Sequence, residues 1–310
     1  MSRVLLAALL VAVACAPLRS HASGVAEAAR ATLDDGYVAH GWVELPADPR
    51  LRPYVRRLPH VFVVVMENTS LARAIASQPI GALVTTYGLA TNYHGVARPS
   101  LPNYLAMTSG STWGVTDNGY RVLPATGIGA QLTAAGVPWR AYMEGMTEAG
   151  CLRSPYPYAL KHNPFAFYGG GCSENVVPIE ALDSDLAKDT PNFLFIKPGL
   201  CHDGHDCAVD VAGEWLEGLV SRVVAADAWR DRGVLFVTWD EGDGGDTSNL
   251  VPLIVIASPV GPRRSDAAYD HYSLLATIED LFGLDRLGAA ADATPLTDVL
   301  PQVLSAGARK

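Results

Sequence analysis

Positive charge is in short supply in this chain. Lys and Arg total 23 against 32 Asp and Glu, for a net charge of −9, and no basic run stands out among the 310 residues. Nucleic-acid binding needs clustered Lys and Arg to neutralise phosphates, so nucleic acid is not expected as a partner. No apolar run reaches the roughly 18 residues that a spanning helix needs, so no integral membrane span is expected. No C-x-x-C spacing occurs among the five cysteines, which argues against a four-cysteine zinc site. Internal repeats, low-complexity segments and linkers are also lacking, and nothing in the pattern calls for a protein partner. What remains is 49% hydrophobic and 18% charged, a globular composition with enough length for one large domain.

The N-terminus supplies a different signal. Arg3 gives a short positive region, Val4 to Ala14 an apolar stretch, and Ser20-His21-Ala22 a small-x-small cleavage site. This pattern predicts a secretory signal peptide over residues 1–22, too short to span a bilayer, followed by a single domain over 23–310. The expected location is secreted or periplasmic. A lipoprotein signal with Cys15 lipidated is the rival reading, but Ala12-Val13-Ala14-Cys15 lacks the usual Leu. Loss of the signal leaves Cys151, Cys172, Cys201 and Cys207. An even count in an exported chain suggests two disulfides. Three pairings are possible, of which local closure favours Cys151–Cys172 and Cys201–Cys207.

From residue 60 onward, strand-like runs alternate with helical patterns. Val61–Met66, Asn192–Ile196, Val234–Trp239 and Leu253–Ala257 are rich in Val, Ile and Phe without polar alternation, which suits strands covered on both faces. Helical segments fall at about 101–109, 127–135, 210–226 and 271–282. The alternation predicts an α/β sandwich with a mostly parallel sheet. Residues 286–310 read as a peripheral tail.

In open parallel sheets ligands bind beyond the carboxyl ends of the strands. The first run ends in Glu67-Asn68 and the third in Asp240-Glu241. Carboxylates gathered at one edge repel, and a divalent cation relieves the repulsion, so Glu67, Asn68, Asp240 and Glu241 are expected metal ligands. The plainer reading of Glu67 is a solvated cap for a helix starting near Leu71, and Asn68-Thr69-Ser70 is also a glycosylation sequon. Ser100 precedes an apolar helix with Pro102 in its first turn. It reads either as an N-cap or as a nucleophile facing free N–H groups and the positive end of the helix dipole. No G-x-S-x-G elbow surrounds it, which counts against a metal-independent serine hydrolase. Asn103 could donate to a phosphoryl oxygen and Arg98 could clamp an anion. His202, Asp203, His205 and Asp206 crowd the run CHDGHDC as a ligand or acid–base cluster, and His271 opens a helix that could face the same edge. His94 and His162 rank behind them; His40 and His60 are given no role.

Assembled, these residues resemble the phosphoesterase family of secreted acid phosphatases and phospholipases C, within the alkaline-phosphatase-like superfamily. The resemblance rests on VVVMENTS, RPSLPNYLAMTSG, HNPFAFY, PNFLFIKPGLCHDGHDC, VTWDEGDGG and YDHYSLLATIEDLFG, over roughly residues 59–285. It implies a three-layer α/β/α sandwich and a small phosphoester as substrate. It places the metal on Glu67, Asn68, Asp240 and Glu241, and makes Ser100 the nucleophile of a phosphoserine intermediate. Asn103 would contact the phosphoryl group. His202, Asp203 and His205 would line the phosphate site or bind metal, and His271 would contact phosphate or protonate the leaving group. The cofactor would be magnesium, calcium, manganese, zinc or iron. Two departures stand out: the first motif continues as Thr69-Ser70-Leu71-Ala72, not the usual Arg-Ser-Phe-Asp, and Arg98 replaces a common His before Pro99-Ser100. A sulfatase would carry Arg where Tyr104 stands, so sulfatase chemistry is not expected. The chain also lacks an obvious lipid-binding extension like that of the lipid-cleaving members. The expected activity is phosphomonoester hydrolysis, with a phosphodiesterase or a non-catalytic phosphate-binding protein as alternatives.

Overall fold

The structure, a computed structural model, describes residues 58–230, 232–257 and 261–300. The expected signal peptide, Cys15 and residues 301–310 lie outside the described residues. Nine strands form one sheet: β1 (His60–Met66), β2 (Gly88–His94), β3 (Trp139–Met143), β4 (Val176–Pro178), β5 (Phe193–Lys197), β6 (Gly233–Trp239), β7 (Leu250–Ala257), β8 (Arg264–Ser265) and β9 (Tyr269–Asp270). Their order is β4-β3-β5-β1-β6-β7-β2-β8, with β9 also pairing with β2. Strands β4, β3, β5, β1 and β6 are mutually parallel. Only β7 runs against its neighbours β6 and β2, so the sheet is mostly parallel, as its apolar strands implied. All seven residues of β6 are buried, which is how a strand covered on both faces reads.

Helices cover the sheet in two groups. On one side α1 (Leu71–Ala76), α2 (Gln78–Thr86), α5 (Ala181–Ala187), α6 (Val209–Ala225) and α7 (Asp227–Arg230) pack on one another; on the other, α3 (Ser100–Ser109), α4 (Ile128–Ala134) and α8 (His271–Phe282) do. The buried residues of α6 are Val209, Ala212, Gly213, Leu216, Leu219, Val220 and Val223, a three-and-four spacing that puts one stripe against the core. The four long helical segments and the four apolar strands read from sequence are present within a few residues of their expected bounds. The short helices α2 and α5 and the strands β2 and β3 were not anticipated, whereas α1 begins at Leu71, where a helix start was read.

One expectation is corrected. Residues 286–300 are not a peripheral tail: Ala290, Leu296, Val299 and Leu300 are buried, and the Leu296 amide donates to Thr277 Oγ1 at 2.9 Å. Burial of Leu296, Val299 and Leu300, each contributing about 1.5–3 kcal/mol, fixes the segment to α8. The disulfides Cys151–Cys172 and Cys201–Cys207 are both formed, the pairing that local closure favours. No helix among the described residues is long and apolar enough to cross a membrane.

Candidate active site

Four adjacent parallel strands deliver the site. Because β3, β5, β1 and β6 run in one direction, their carboxyl ends share one edge, and each ends in a polar residue: Glu144 after β3, Lys197 closing β5, Glu67 after β1, Asp240-Glu241 after β6. Backbone bonds fix the offsets, with Asp240 N donating to Met66 O at 3.1 Å and Glu67 N to Asp203 O at 2.9 Å. Glu67 is fully buried, so it is not a solvated cap; Ser70 occupies the N-cap of α1.

The two oxygens of Glu67 face different partners. Oε2 accepts from Ser100 Oγ at 3.3 Å, and that hydroxyl also lies 3.5 Å from Glu241 Oε1. Oε1 accepts a short bond from the Tyr104 hydroxyl, with His162 Nε2 at 3.2 Å and Lys197 Nζ at 3.7 Å. Burial alone would raise the Glu67 carboxyl, but His162 and Lys197 outweigh it and hold the group well below the ordinary carboxylate range.

The other carboxylates are pushed the opposite way. Burial, followed by the charges of Glu67 and Glu241, drives Asp240 well above its ordinary value. Burial lifts Glu241 to about 6 despite Arg98, and lifts Asp203 to about 6 despite Lys197. Asp240 Oδ2 and Glu241 Oε2 are buried without a hydrogen-bond partner. An Asp240 oxygen with no partner, and a Glu241 Oε2 that has only Arg98 at 3.5 Å, on carboxylates that repel one another fit a hard divalent cation. A second grouping could also hold a metal: one ligand atom each from Glu67, His162 and Asp203 lie within 4.8 Å of one another. Asn68 adopts a φ of 48°, which Asn tolerates, and its amide donates to Asp240 Oδ1 at 3.2 Å. A cavity of about 470 Å³ opens beside the cluster, with Asn68, Arg73, Arg98, His205, Glu241 and Asp243 in its wall.

Ser100 is the first residue of α3 and Pro99 its N-cap, so the hydroxyl is not spent on capping. The helix end offers fewer open amides than expected: Leu101 N donates to Asn118 Oδ1 at 3.1 Å, and Pro102 has none. Asn103 is fully buried. Its Oδ1 accepts from Val96 N and Ala97 N, both at 2.9 Å, and its Nδ2 donates to Ala97 O and Pro99 O. Its donors and acceptor thus pin the loop before Ser100. Arg98 likewise spends its guanidinium on the carbonyls of Gly242, Asp243 and Asp246, with Glu241 Oε2 at 3.5 Å. It ties down the loop after Asp240-Glu241 where an open anion clamp was expected.

The histidines separate. His205 stands in the cavity wall, with Nδ1 2.6 Å from Asp206 Oδ1 and Nε2 3.2 Å from Lys161 Nζ. Asp203 receives the Lys197 ammonium on Oδ2 and His205 N on Oδ1. His202 turns to Glu144, with Nδ1 2.7 Å from Oε1, and stacks on Trp215, away from Ser100's partners. His271 is buried with both nitrogens engaged, Nδ1 by Tyr93 OH at 2.8 Å and Nε2 by Asp240 O at 2.6 Å. Burial lowers its imidazole to about 4. Through Nε2 it braces the carbonyl of Asp240.

Sequence reasoning passed over Lys197, gave Tyr104 no role of its own and ranked His162 low. His162 sits between Glu67 and Asp203 and stacks on Tyr104; burial pushes it down to about 4. The signal for Lys197 was present, since a charged residue closing an apolar strand is the pattern that singled out Glu67.

The geometry meets independent likeness to known proteins. The Phosphoesterase family matches residues 76–285. A phosphatidylinositol-3-phosphatase of Mycobacterium tuberculosis is 30% identical over 250 residues, covering 77% of this chain and 82% of that protein. A phosphate-repressible acid phosphatase of Penicillium chrysogenum is 27% identical over 72% of this chain, which spans only 58% of the fungal protein. Among solved structures, an alkaline phosphatase superfamily protein from Vibrio parahaemolyticus superposes with a TM-score of 0.57 at 14% identity, over 79% of this chain and 71% of that one. At that identity the likeness speaks to the fold. On the sequence match and the fold together, the chain belongs to the phosphoesterase family and is a phosphoric ester hydrolase of alkaline-phosphatase-like architecture.

Proposed function

We propose that the protein is an exported, metal-dependent phosphomonoesterase of the acid phosphatase type that works through a phosphoserine. The observation that carries this reading is the Ser100 hydroxyl, bonded to Glu67 Oε2 at 3.3 Å and 3.5 Å from Glu241 Oε1, with the residue before Glu241, Asp240, keeping a buried oxygen without a hydrogen-bond partner. Glu67, Asp240 and Glu241, with Asn68 beside them, would hold the metal. A bound divalent ion would neutralise phosphoryl charge and make the Ser100 hydroxyl more acidic. Ser100 Oγ forms its bond to phosphorus while the leaving oxygen departs in line, the hydroxyl proton passing to a carboxylate it already touches. His205, oriented at Nδ1 by Asp206, delivers a proton from Nε2 to the leaving alkoxide once that nitrogen turns from Lys161 Nζ, 3.2 Å away. The same imidazole then takes a proton from the water that splits the phosphoserine, and Ser100 Oγ leaves with the proton held by the carboxylate. Export is supported by the two disulfides, since such bonds persist in oxidising compartments.

Ser100→Ala should abolish turnover of p-nitrophenyl phosphate, chelation should do the same in the parent chain, and added Mg²⁺ or Mn²⁺ should restore it. Full activity in the Ser100→Ala protein would overturn the assignment. Rates on a monoester, on bis-p-nitrophenyl phosphate and on phosphatidylcholine separate this reading from a diesterase, and the name of the mycobacterial relative adds phosphatidylinositol 3-phosphate to that panel.

A further inference from the structure

We infer that the Cys201–Cys207 disulfide is a positioning element for the proton donor: it presents the His205–Asp206 pair to the leaving group. This rests on the proton-donor role given to His205 above and goes beyond it in naming what aims the imidazole. The two cysteines are 6 positions apart, and the ring they close holds His202, Asp203, Gly204, His205 and Asp206. A loop that short removes less freedom from the unfolded chain than the 21-position span of Cys151–Cys172. Its place matters more than its length, because Gly204, His205, Asp206 and Cys207 all stand in the wall of the cavity that Glu241 also lines.

The two halves of the ring are held differently. Asp203 is fully buried, receives Lys197 on Oδ2, and its carbonyl accepts from Glu67 N at 2.9 Å. That half is tied to the ends of β1 and β5 whether or not the sulfurs are joined. His205 and Asp206 face the cavity, with side chains 29% and 39% exposed. The carboxylate that orients the imidazole is carried by the ring itself, Asp206 Oδ1 lying 2.6 Å from Nδ1. From outside the ring come the Lys161 ammonium, 3.2 Å from Nε2, and the His162 imidazole, 5.9 Å between ring centres. The Lys161 contact is given up when Nε2 turns to the leaving oxygen. What then fixes the pair is backbone: His205 N on Asp203 Oδ1 and Asp206 N on Leu200 O, both at 2.8 Å, and the covalent bridge at Cys207. Opening the bridge loosens the half that bears the proton donor and leaves the carboxylates around Ser100 in place.

The double variant Cys201→Ser/Cys207→Ser keeps nearly the same side-chain size without the bond. Its kcat/KM for ethyl phosphate, divided by that for p-nitrophenyl phosphate, should fall roughly tenfold, a part of the loss that a missing general acid causes. Loss of folded protein would lower both substrates equally and leave that ratio alone. In a His205→Asn background, removing the bridge should move the ratio no further, since the bridge acts through the imidazole. Cys151→Ser/Cys172→Ser should not move it either. An unchanged ratio in the folded Cys201→Ser/Cys207→Ser protein, a further fall on top of His205→Asn, or an equal fall from Cys151→Ser/Cys172→Ser would each overturn the inference. If the double variant does not fold, the wild type is opened in steps with dithiothreitol, which closes to its cyclic disulfide as each bridge becomes two thiols. Alkylation and mass spectrometry then assign the bridge that opened. The ratio should fall with Cys201–Cys207; a ratio that follows Cys151–Cys172, or neither, overturns the inference. Failure of the underlying reading shows separately: His205→Asn with the bridge intact would leave the ratio at its wild-type value, and that result would sink both.

Discussion

Glu67 has little freedom, because each of its oxygens is committed to a different side of the site. Tyr104 is one of the groups that hold it, and burial together with the Glu67 charge keeps the phenol protonated by raising it well above its ordinary value. Tyr104→Phe should therefore lower divalent-ion affinity and turnover by roughly 10–100-fold while leaving the melting temperature nearly unchanged, as checked by Mn²⁺ titration and calorimetry. A different substitution tests the proton donor. His205→Asn should lower kcat/KM, which reports only steps up to the phosphoserine, by roughly 10²-fold or more for an alkyl phosphate but far less for p-nitrophenyl phosphate, because p-nitrophenolate departs without a proton; equal losses of kcat/KM on both would remove His205 from that role. At this scale the sequence exposed Glu67, Ser100, Asp240 and Glu241, since a polar residue directly after an apolar strand has few other reasons to be there. It did not foresee the protein groups that Asn103, Arg98 and His271 meet. Their residue types suit phosphate chemistry, but which carbonyl or amide consumes a side chain is decided by loops that meet only in the folded chain.

At the scale of elements, α8 shows how a cap supports chemistry. Asp270 accepts from Tyr272 N at 2.9 Å and Ser273 N at 3.0 Å, and Asp270 N donates to Ser273 Oγ at 3.3 Å, a reciprocal capping box. The next residue, His271, braces the carbonyl of Asp240. Asp270→Ala should cost about 1 kcal/mol of stability, read by chemical denaturation, and should lower turnover through the displaced brace. Strands β1, β5, β6 and β7 were legible because continuous Val, Ile, Leu and Phe have one economical use in an α/β chain. Strand β2 was not: GLATNYH carries Thr91 and Asn92 where its register against β7 shifts between Ala90 and Tyr93, and the irregularity hides the period. Strand β3, WRAYM, is too short to announce itself beside Arg140.

The molecule as a whole carries a pH dependence separate from the site. Glu279 on α8 is buried, accepts from Leu287 N at 2.9 Å, and has its carboxyl pushed up to about 8 by burial. The folded protein keeps a proton that the unfolded chain, near 4.5, releases. This group's contribution to stability is thus complete below about 4.5 and is lost as pH rises toward 8. Glu279→Gln, which can still accept from Leu287, should flatten the decline of melting temperature across that window; an unchanged slope would exclude the group as its source. The same region joins two distant parts of the chain. Gly110, which ends α3 in a left-handed turn, crosses Gly288 so closely that a Cβ on either would strike the other's strand of backbone, and Ala289 N donates to Gly110 O. Family similarity stops at residue 285, yet the far end of the serine-bearing helix is clasped by Gly288 and Ala289, just past that limit. Anyone trimming the gene at the edge of the recognisable homology would cut away that clasp, and the shortened product should come out insoluble or inert although every residue of the reaction centre is still encoded.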